Sequence, residues 1–124
     1  MTKDLIPYDT AGTIAFGNWA KKSGMTIKSW VDARPCDLIV WCNGRGSTQG
    51  HVGPITSVCA TMIDPQLFFI ETAEGNTSQK NYRNGGRFAE KEYYYADNEI
   101  GSPASDRYIY CVVSFDKLYE LATK

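Results

Sequence analysis

Asp37-Leu38-Ile39-Val40-Trp41-Cys42, then the cluster Asn43-Gly44-Arg45-Gly46-Ser47-Thr48-Gln49-Gly50, then His51-Val52-Gly53-Pro54-Ile55-Thr56-Ser57-Val58-Cys59 is the stretch whose reading decides the fold. Two apolar runs of strand length flank a segment rich in Gly, Asn and Ser. That pattern reads as a β-hairpin over residues 37–59, with Val52 to Cys59 as the return strand. Asp64-Pro65-Gln66 then marks a turn before a strand from Leu67 to Thr72. Residues 75–86 form a polar loop, and Arg87 to Tyr95 and Tyr108 to Phe115 read as two further strands, with a loop over 97–106 between them. Phe115 to Ala122 suits a short terminal helix.

Upstream of the hairpin the period changes. Ala11, Ile14, Ala15 and Trp19 fall on one helical face. Asp9 or Thr10 can cap this helix, Lys21 and Lys22 complement the dipole of its last turn, and Gly24 stops it after Ser23. Residues 25–34 connect helix to hairpin, with Ile27, Trp30 and Val31 as expected core plugs. A helix followed by an antiparallel meander is an α+β pattern. The expectation is one helix packed on a five-stranded antiparallel sheet, in a single domain over residues 1–124.

Composition bounds the function. The chain has 43% hydrophobic and 22% charged residues, as in ordinary globular proteins. A net charge of −1 offers no bulk basic field for nucleic acid. No apolar run approaches the roughly 20 residues needed to span a bilayer. The start Met1-Thr2-Lys3-Asp4 lacks the apolar segment of a secretion signal, so synthesis and retention in a cytosol are expected. Cys36, Cys42, Cys59 and Cys111 show no Cys-x-x-Cys spacing, and with one histidine they make a poor zinc set. Four free thiols are expected, with Cys59 and Cys111 buried as small apolar residues.

His51 is the sole histidine. It opens a strand beside a loop, with Gly50 and Gly53 around it, where another backbone or a ligand can come close. Glu74 and Asn76 end another strand in a Glu-Gly-Asn step. Either can accept the ring N–H of His51 and set its tautomer, although such a step is also a common turn. Tyr93, Tyr94, Tyr95, Tyr108, Tyr110, Trp30 and Trp41 can line a groove, but such residues more often pack a core.

Taken in order, Pro35-x-Asp37-Leu38-Ile39-Val40-Trp41, Gly50-His51-Val52-Gly53, Ile70-Glu71-Thr72-Ala73-Glu74-Gly75-Asn76-Thr77-Ser78 and Asn84-Gly85-Gly86 resemble CHAP domains. These are cysteine- and histidine-dependent amidohydrolases and peptidases of papain-like fold, found in phage endolysins and bacterial wall hydrolases. The likeness covers roughly residues 8–115, and the ordered set is more specific than any one string. It implies a papain-like half, a catalytic base at His51, and Glu74 and Asn76 as the groups that orient it. It implies peptidoglycan as substrate, cleaved at an amide, with no metal or cofactor.

The chain departs from the family in three ways. Cys36 stands where the family has the Gly of Pro-Gly-Asp. The family's His-Val-Gly-Ile-Val is His51-Val52-Gly53-Pro54-Ile55 here, and Pro54 forgoes one ladder bond at this edge of the strand. The family's Trp-Cys-Ala-like nucleophile string has no counterpart, because the helix ending Asn18-Trp19-Ala20-Lys21-Lys22-Ser23-Gly24 matches the family's second helix. The thiol is therefore expected from an N-terminal segment or subunit, as in a split or truncated enzyme. An apolar stripe would then lie uncovered, for that partner or a second copy to fill. Under a rival alignment, Asp9-Thr10-Ala11-Gly12 resembles the Asp-Cys-Ser-Gly string of a sister group of wall peptidases. Thr10 would then replace the Cys, leaving a silent binding or regulatory module. A toxin or effector hydrolase with another amide substrate is a third reading. Cys42 is expected to close the hairpin as a small apolar residue; only a turn centred between Gly46 and Ser47 would set it opposite His51 and make it an alternative nucleophile.

Overall fold

The computed structural model describes residues 12–62, 66–75, 88–103 and 107–123. The elements in chain order are α1 (Thr13–Lys22), β1 (Thr26–Ile27), β2 (Leu38–Cys42), β3 (Gly50–Ala60), β4 (Leu67–Gly75), β5 (Phe88–Ala96), β6 (Tyr108–Val113) and α2 (Phe115–Ala122). The strands form one antiparallel sheet of six, in the order β1-β6-β2-β3-β4-β5. The fold is α+β with the N-terminal helix against the sheet. The sixth strand is β1, a two-residue pairing of Thr26 and Ile27 with Val113 and Val112, too short to give a periodic signal.

Glycine sets the ends of α1. Gly12 caps it at φ +99, and Gly24 follows it at φ +71, the left-handed conformation that ends many helices. Asp9 and Thr10, the expected caps, lie outside the described residues. Ile14, Gly17 and Ala20 are the buried face. A Cβ on Gly17 would stand 2.9 Å from the Tyr110 ring and 3.3 Å from Val40, so glycine lets the helix approach the sheet.

Alternation along each strand divides the core between the two faces of the sheet. Val40, Cys42, Cys111 and Val113 pack with Ile14 and Ala20 of α1, and Leu118 of α2 joins them. Ile39, Trp41, Ile109 and Val112 point the other way and cluster with Ile55, Phe68, Ile70 and Trp30. The connector supplies that Trp30, which is buried, stacked on Tyr95 at 6.0 Å and bonded through Nε1 to the Ala96 carbonyl. Asp97 fixes it further by accepting from Ser29 Oγ and the Trp30 amide. Val31, expected in the core, is exposed instead, because a 3-10 turn over Trp30–Asp32 rotates it outward. Cys111 is buried as expected, whereas Cys59 is exposed. It shares a sheet face with its partner Phe69, opposite the face on which Phe68 and Ile70 are buried.

A tight turn precedes β2. The Asp37 amide donates to the Arg34 carbonyl at 3.1 Å, Pro35 is the second residue, and Cys36, the third, has φ +80. This is type II geometry, which favours glycine at the third position. Buried Asp37 accepts the Arg34 amide on one oxygen and the Phe115 amide on the other, joining the turn to the start of α2. Burial raises the pKa of its carboxyl, and those two amide bonds oppose the rise.

The β2–β3 register sets Trp41 opposite His51 and Cys42 opposite Gly50. The turn is therefore centred on Gly46, at φ +77, so the Cys42–His51 pairing that a turn centred half a residue later would give does not form, and Cys42 closes the hairpin as a small buried residue. One step of register moves a side chain to the other face. Cys42 lies on the α1 side with its thiol donating to the Gly44 carbonyl at 3.0 Å, while His51 shares the Trp41 side. Beyond Pro54, β3 leaves β2 and pairs with β4, with an irregularity between Ile55 and Ser57.

Candidate functional site

His51 and Glu74 meet. β3 carries the histidine, β4 the glutamate, and Nε2 lies 2.9 Å from Glu74 Oε1. The two sit on the Trp41 face, so the parity of β3 and of β4 agrees. Gly53 makes the contact possible. A Cβ there would stand 2.8 Å from Glu74 Cγ and 3.2 Å from the Trp41 ring, so the bare backbone is the floor over which Glu74 reaches His51. Gly50 is required as well, since a Cβ on it would lie 2.0 Å from the Trp41 carbonyl oxygen.

Burial separates the two groups. The Glu74 side chain is 3% exposed and that of His51 is 23% exposed, so the carboxylate is hidden and the imidazole reaches solvent. Burial alone would push the Glu74 carboxyl up. The hydrogen bonds from Tyr93 and Thr72, the charge that His51 carries whenever it is protonated, and the charge of Lys91 outweigh it and hold the carboxyl below its ordinary value. Glu74 is thus ionised at neutral pH and accepts from His51, which makes Nε2 the protonated nitrogen of the neutral ring. Among the described residues, Nδ1 has no hydrogen-bond partner, so the lone pair on that atom is open to a proton.

The ring is also held by stacking. Trp41 lies 5.4 Å from His51 with 24° between planes, and its Nε1 donates to Tyr95 Oη at 3.2 Å. Tyr93 packs on Trp41 at 5.4 Å, and the Arg107 guanidinium sits 5.0 Å from the Trp41 ring centre. The site therefore pairs an oriented base with an aromatic wall and a cation at its rim. It can take a proton from an acidic group brought to Nδ1 and return it to a leaving group.

Asn76, the other expected orienting residue, lies outside the described residues. Thr72 is a site residue that no motif singles out, and Tyr93 and Trp41, open in the sequence to either a groove or a core, belong to the site. Period-two spacing could have indicated them, since Thr72 shares a face with Glu74 and Tyr93 shares one with Tyr95.

None of the four cysteines is seated as a nucleophile for this base. Cys42 and Cys111 are on the opposite face, and burial raises the Cys111 thiol to about 12, which keeps it protonated. Cys36 lies in the turn before β2 and Cys59 near the far end of β3. Among the described residues, the large exposed apolar side chains are Val31, Val52, Met62 and Tyr94, each on a different segment, and Phe115 and Tyr119, which stack on each other on α2. Among the described residues, no group of three or more His, Cys, Asp or Glu side chains is placed to hold a metal ion, and no helix is long and apolar enough to cross a membrane. Comparison with protein-family models, with characterised proteins and with solved structures finds no match.

Proposed function

We propose that this chain is the base-bearing part of a CHAP-type, papain-like cysteine hydrolase that cleaves an amide of peptidoglycan, with the thiol brought by an N-terminal segment or a separate subunit. The observation that carries the reading is the His51–Glu74 pair, a buried ionised carboxylate on Nε2 with Nδ1 left open. In this chemistry Nδ1 accepts the proton of the incoming thiol. The thiolate adds to the amide carbonyl carbon, and the protonated ring then donates to the departing amine. Water, deprotonated by His51, cleaves the thioester and restores the thiol. The type II turn supports the family likeness, because Cys36 adopts a glycine-favouring φ of +80 where the family has glycine. Purified cell wall tests the proposal. This chain and Cys42→Ser should both be inactive alone, and hydrolysis should appear when a Cys-bearing N-terminal fragment is added, unless His51 is changed to Ala. Lysis by the chain alone that vanishes in Cys42→Ser would overturn it.

Gly12 favours a second reading, a silent module that binds an amide without cleaving it. Its φ is +99, a Cβ on it would stand 3.3 Å from the Thr48 carbonyl oxygen, and Ile14 approaches Gly50 at the His51 end of β3. These contacts support the alignment in which Gly12 is the glycine of the string resembling Asp-Cys-Ser-Gly, with Thr10 in the Cys position. A threonine hydroxyl is a far poorer nucleophile under a neutral imidazole than a thiol. Thr10→Cys decides between the two. Thiol labelling and wall hydrolysis gained in that variant, and lost again in Thr10→Cys/His51→Ala, would favour the silent module.

A further inference from the structure

The second oxygen of Glu74 is not idle. Oε2 accepts the Thr72 hydroxyl at 2.7 Å and the Tyr93 hydroxyl at 2.5 Å. The two donors come from different strands. Thr72 lies two residues before Glu74 on β4, and Tyr93 stands on β5 opposite Ile70. Neither is free to swing away. Thr72 is fully buried, and the Tyr93 ring is packed between Trp41 and Tyr95, 5.4 Å from each.

Without such contacts a glutamate is a loose partner. Its terminal torsion is broad, and its two oxygens are interchangeable. Two donors from separate strands on one oxygen remove that freedom and leave Oε1 facing β3. We infer that Tyr93 and Thr72 are positioning residues for His51: they clamp Oε2 of Glu74, so that Oε1 holds the ring through Nε2–H and leaves Nδ1 as the basic atom. The clamp stands on its own hydrogen bonds, and its bearing on catalysis rests on the proposed role of His51 as a base. The same hydroxyls help to keep the carboxylate ionised in a buried place. The Tyr93 phenol, raised by burial and by its bond to Glu74, remains a donor throughout the working pH range.

His51 is the sole histidine, so its ring signals in a nitrogen-15 labelled full chain need no further assignment. The wild type should show one neutral tautomer, protonated at Nε2, with a far-downfield ring proton sheltered from water. Tyr93→Phe and Thr72→Val should each lose that proton signal to exchange and shift the Glu74 carboxyl titration upward. Thr72→Ser, which keeps the hydroxyl, should match the wild type on both readouts. A ring proton and a Glu74 titration that stay unchanged in folded Tyr93→Phe and Thr72→Val would overturn the clamp. If Tyr93→Phe does not fold, the contrast of Thr72→Val with Thr72→Ser decides alone. These readouts need no enzyme activity. A clamp that behaves as expected in a chain that no Cys-bearing fragment activates would sink the hydrolase reading and leave the clamp standing.

Discussion

Cys36 and Glu74 are single residues held in conformations or environments that ordinary preferences oppose, and each makes a measurable claim. A non-glycine residue in the left-handed region costs roughly 1–2 kcal/mol. Cys36 has φ +80 and an exposed side chain. Cys36→Gly should therefore stabilise the fold by about 1 kcal/mol, after the greater flexibility of glycine in the unfolded chain is offset. Chemical denaturation reads this directly, and a variant less stable than the wild type would refute it. Glu74 makes a pH-dependent claim. Its folded pKa lies below the ordinary 4.5, so it contributes stability above that pH and loses it as the pH falls through the folded value. Glu74→Gln should cost on the order of 1–3 kcal/mol at pH 7. The gap between the two proteins should close below pH 4.5, and melting curves across that range test it. His51 and Glu74 could be read in the sequence because each sits in a short polar break between apolar strands. Their hydroxyl and aromatic partners were legible only as to face: period-two spacing puts Thr72 on the side of Glu74 and Tyr93 on the side of Tyr95, but Thr72, Tyr93 and Trp41 are equally good as plain strand residues.

At the level of elements, Asp37 is the joint. It satisfies the Arg34 amide in the turn and the Phe115 amide at the start of α2, 78 residues away. Asp37→Ala leaves two part-buried donors without an acceptor, at roughly 1–3 kcal/mol each. We expect a loss of about 2–4 kcal/mol, with amide hydrogen exchange in α2 rising more than in β4. Uniform exchange across both elements would show that Asp37 is not a local tie. Strand existence was largely legible, because β2 to β6 all carry apolar or alternating runs bounded by turn residues. Register was not. Moving the centre of the 43–49 turn by half a residue, onto Gly46, decides whether Cys42 or Trp41 meets His51, and Gly, Asn and Ser permit either. β1 escaped notice because two residues have no period, and its position is imposed by Val112 and Val113. Val31 is not legible as exposed, because a 3-10 turn buries Trp30 and turns the apolar residue after it outward.

For the whole molecule, the sheet separates two tasks: α1 and α2 cover one face, and the other carries Trp41, His51 and Glu74 against the Trp30 connector. Among the described residues β5 is one of the two edge strands; it runs nine residues as Phe-Ala-Glu-Lys-Glu-Tyr-Tyr-Tyr-Ala, and every residue of it pairs with β4. Long outer strands with three consecutive tyrosines invite stacking of one molecule on the next. Two copies joined antiparallel along β5 must match residues that share a face. Full overlap centres on Glu92 and sets it against Glu92 of the second copy. Centring on Lys91 opposes Glu90 to Glu92 twice and Lys91 to itself. Like charges directly opposed across strands are destabilising, so Glu90-Lys91-Glu92 acts as a gatekeeper against fibrillar growth. Replacing all three with Thr should turn a quiet edge into a seeding one, seen as rising light scatter and dye-positive cross-β aggregates at concentrations where the wild type stays clear. A triple variant as dispersed as the parent would mean that the tyrosine strand is harmless without its charged guard.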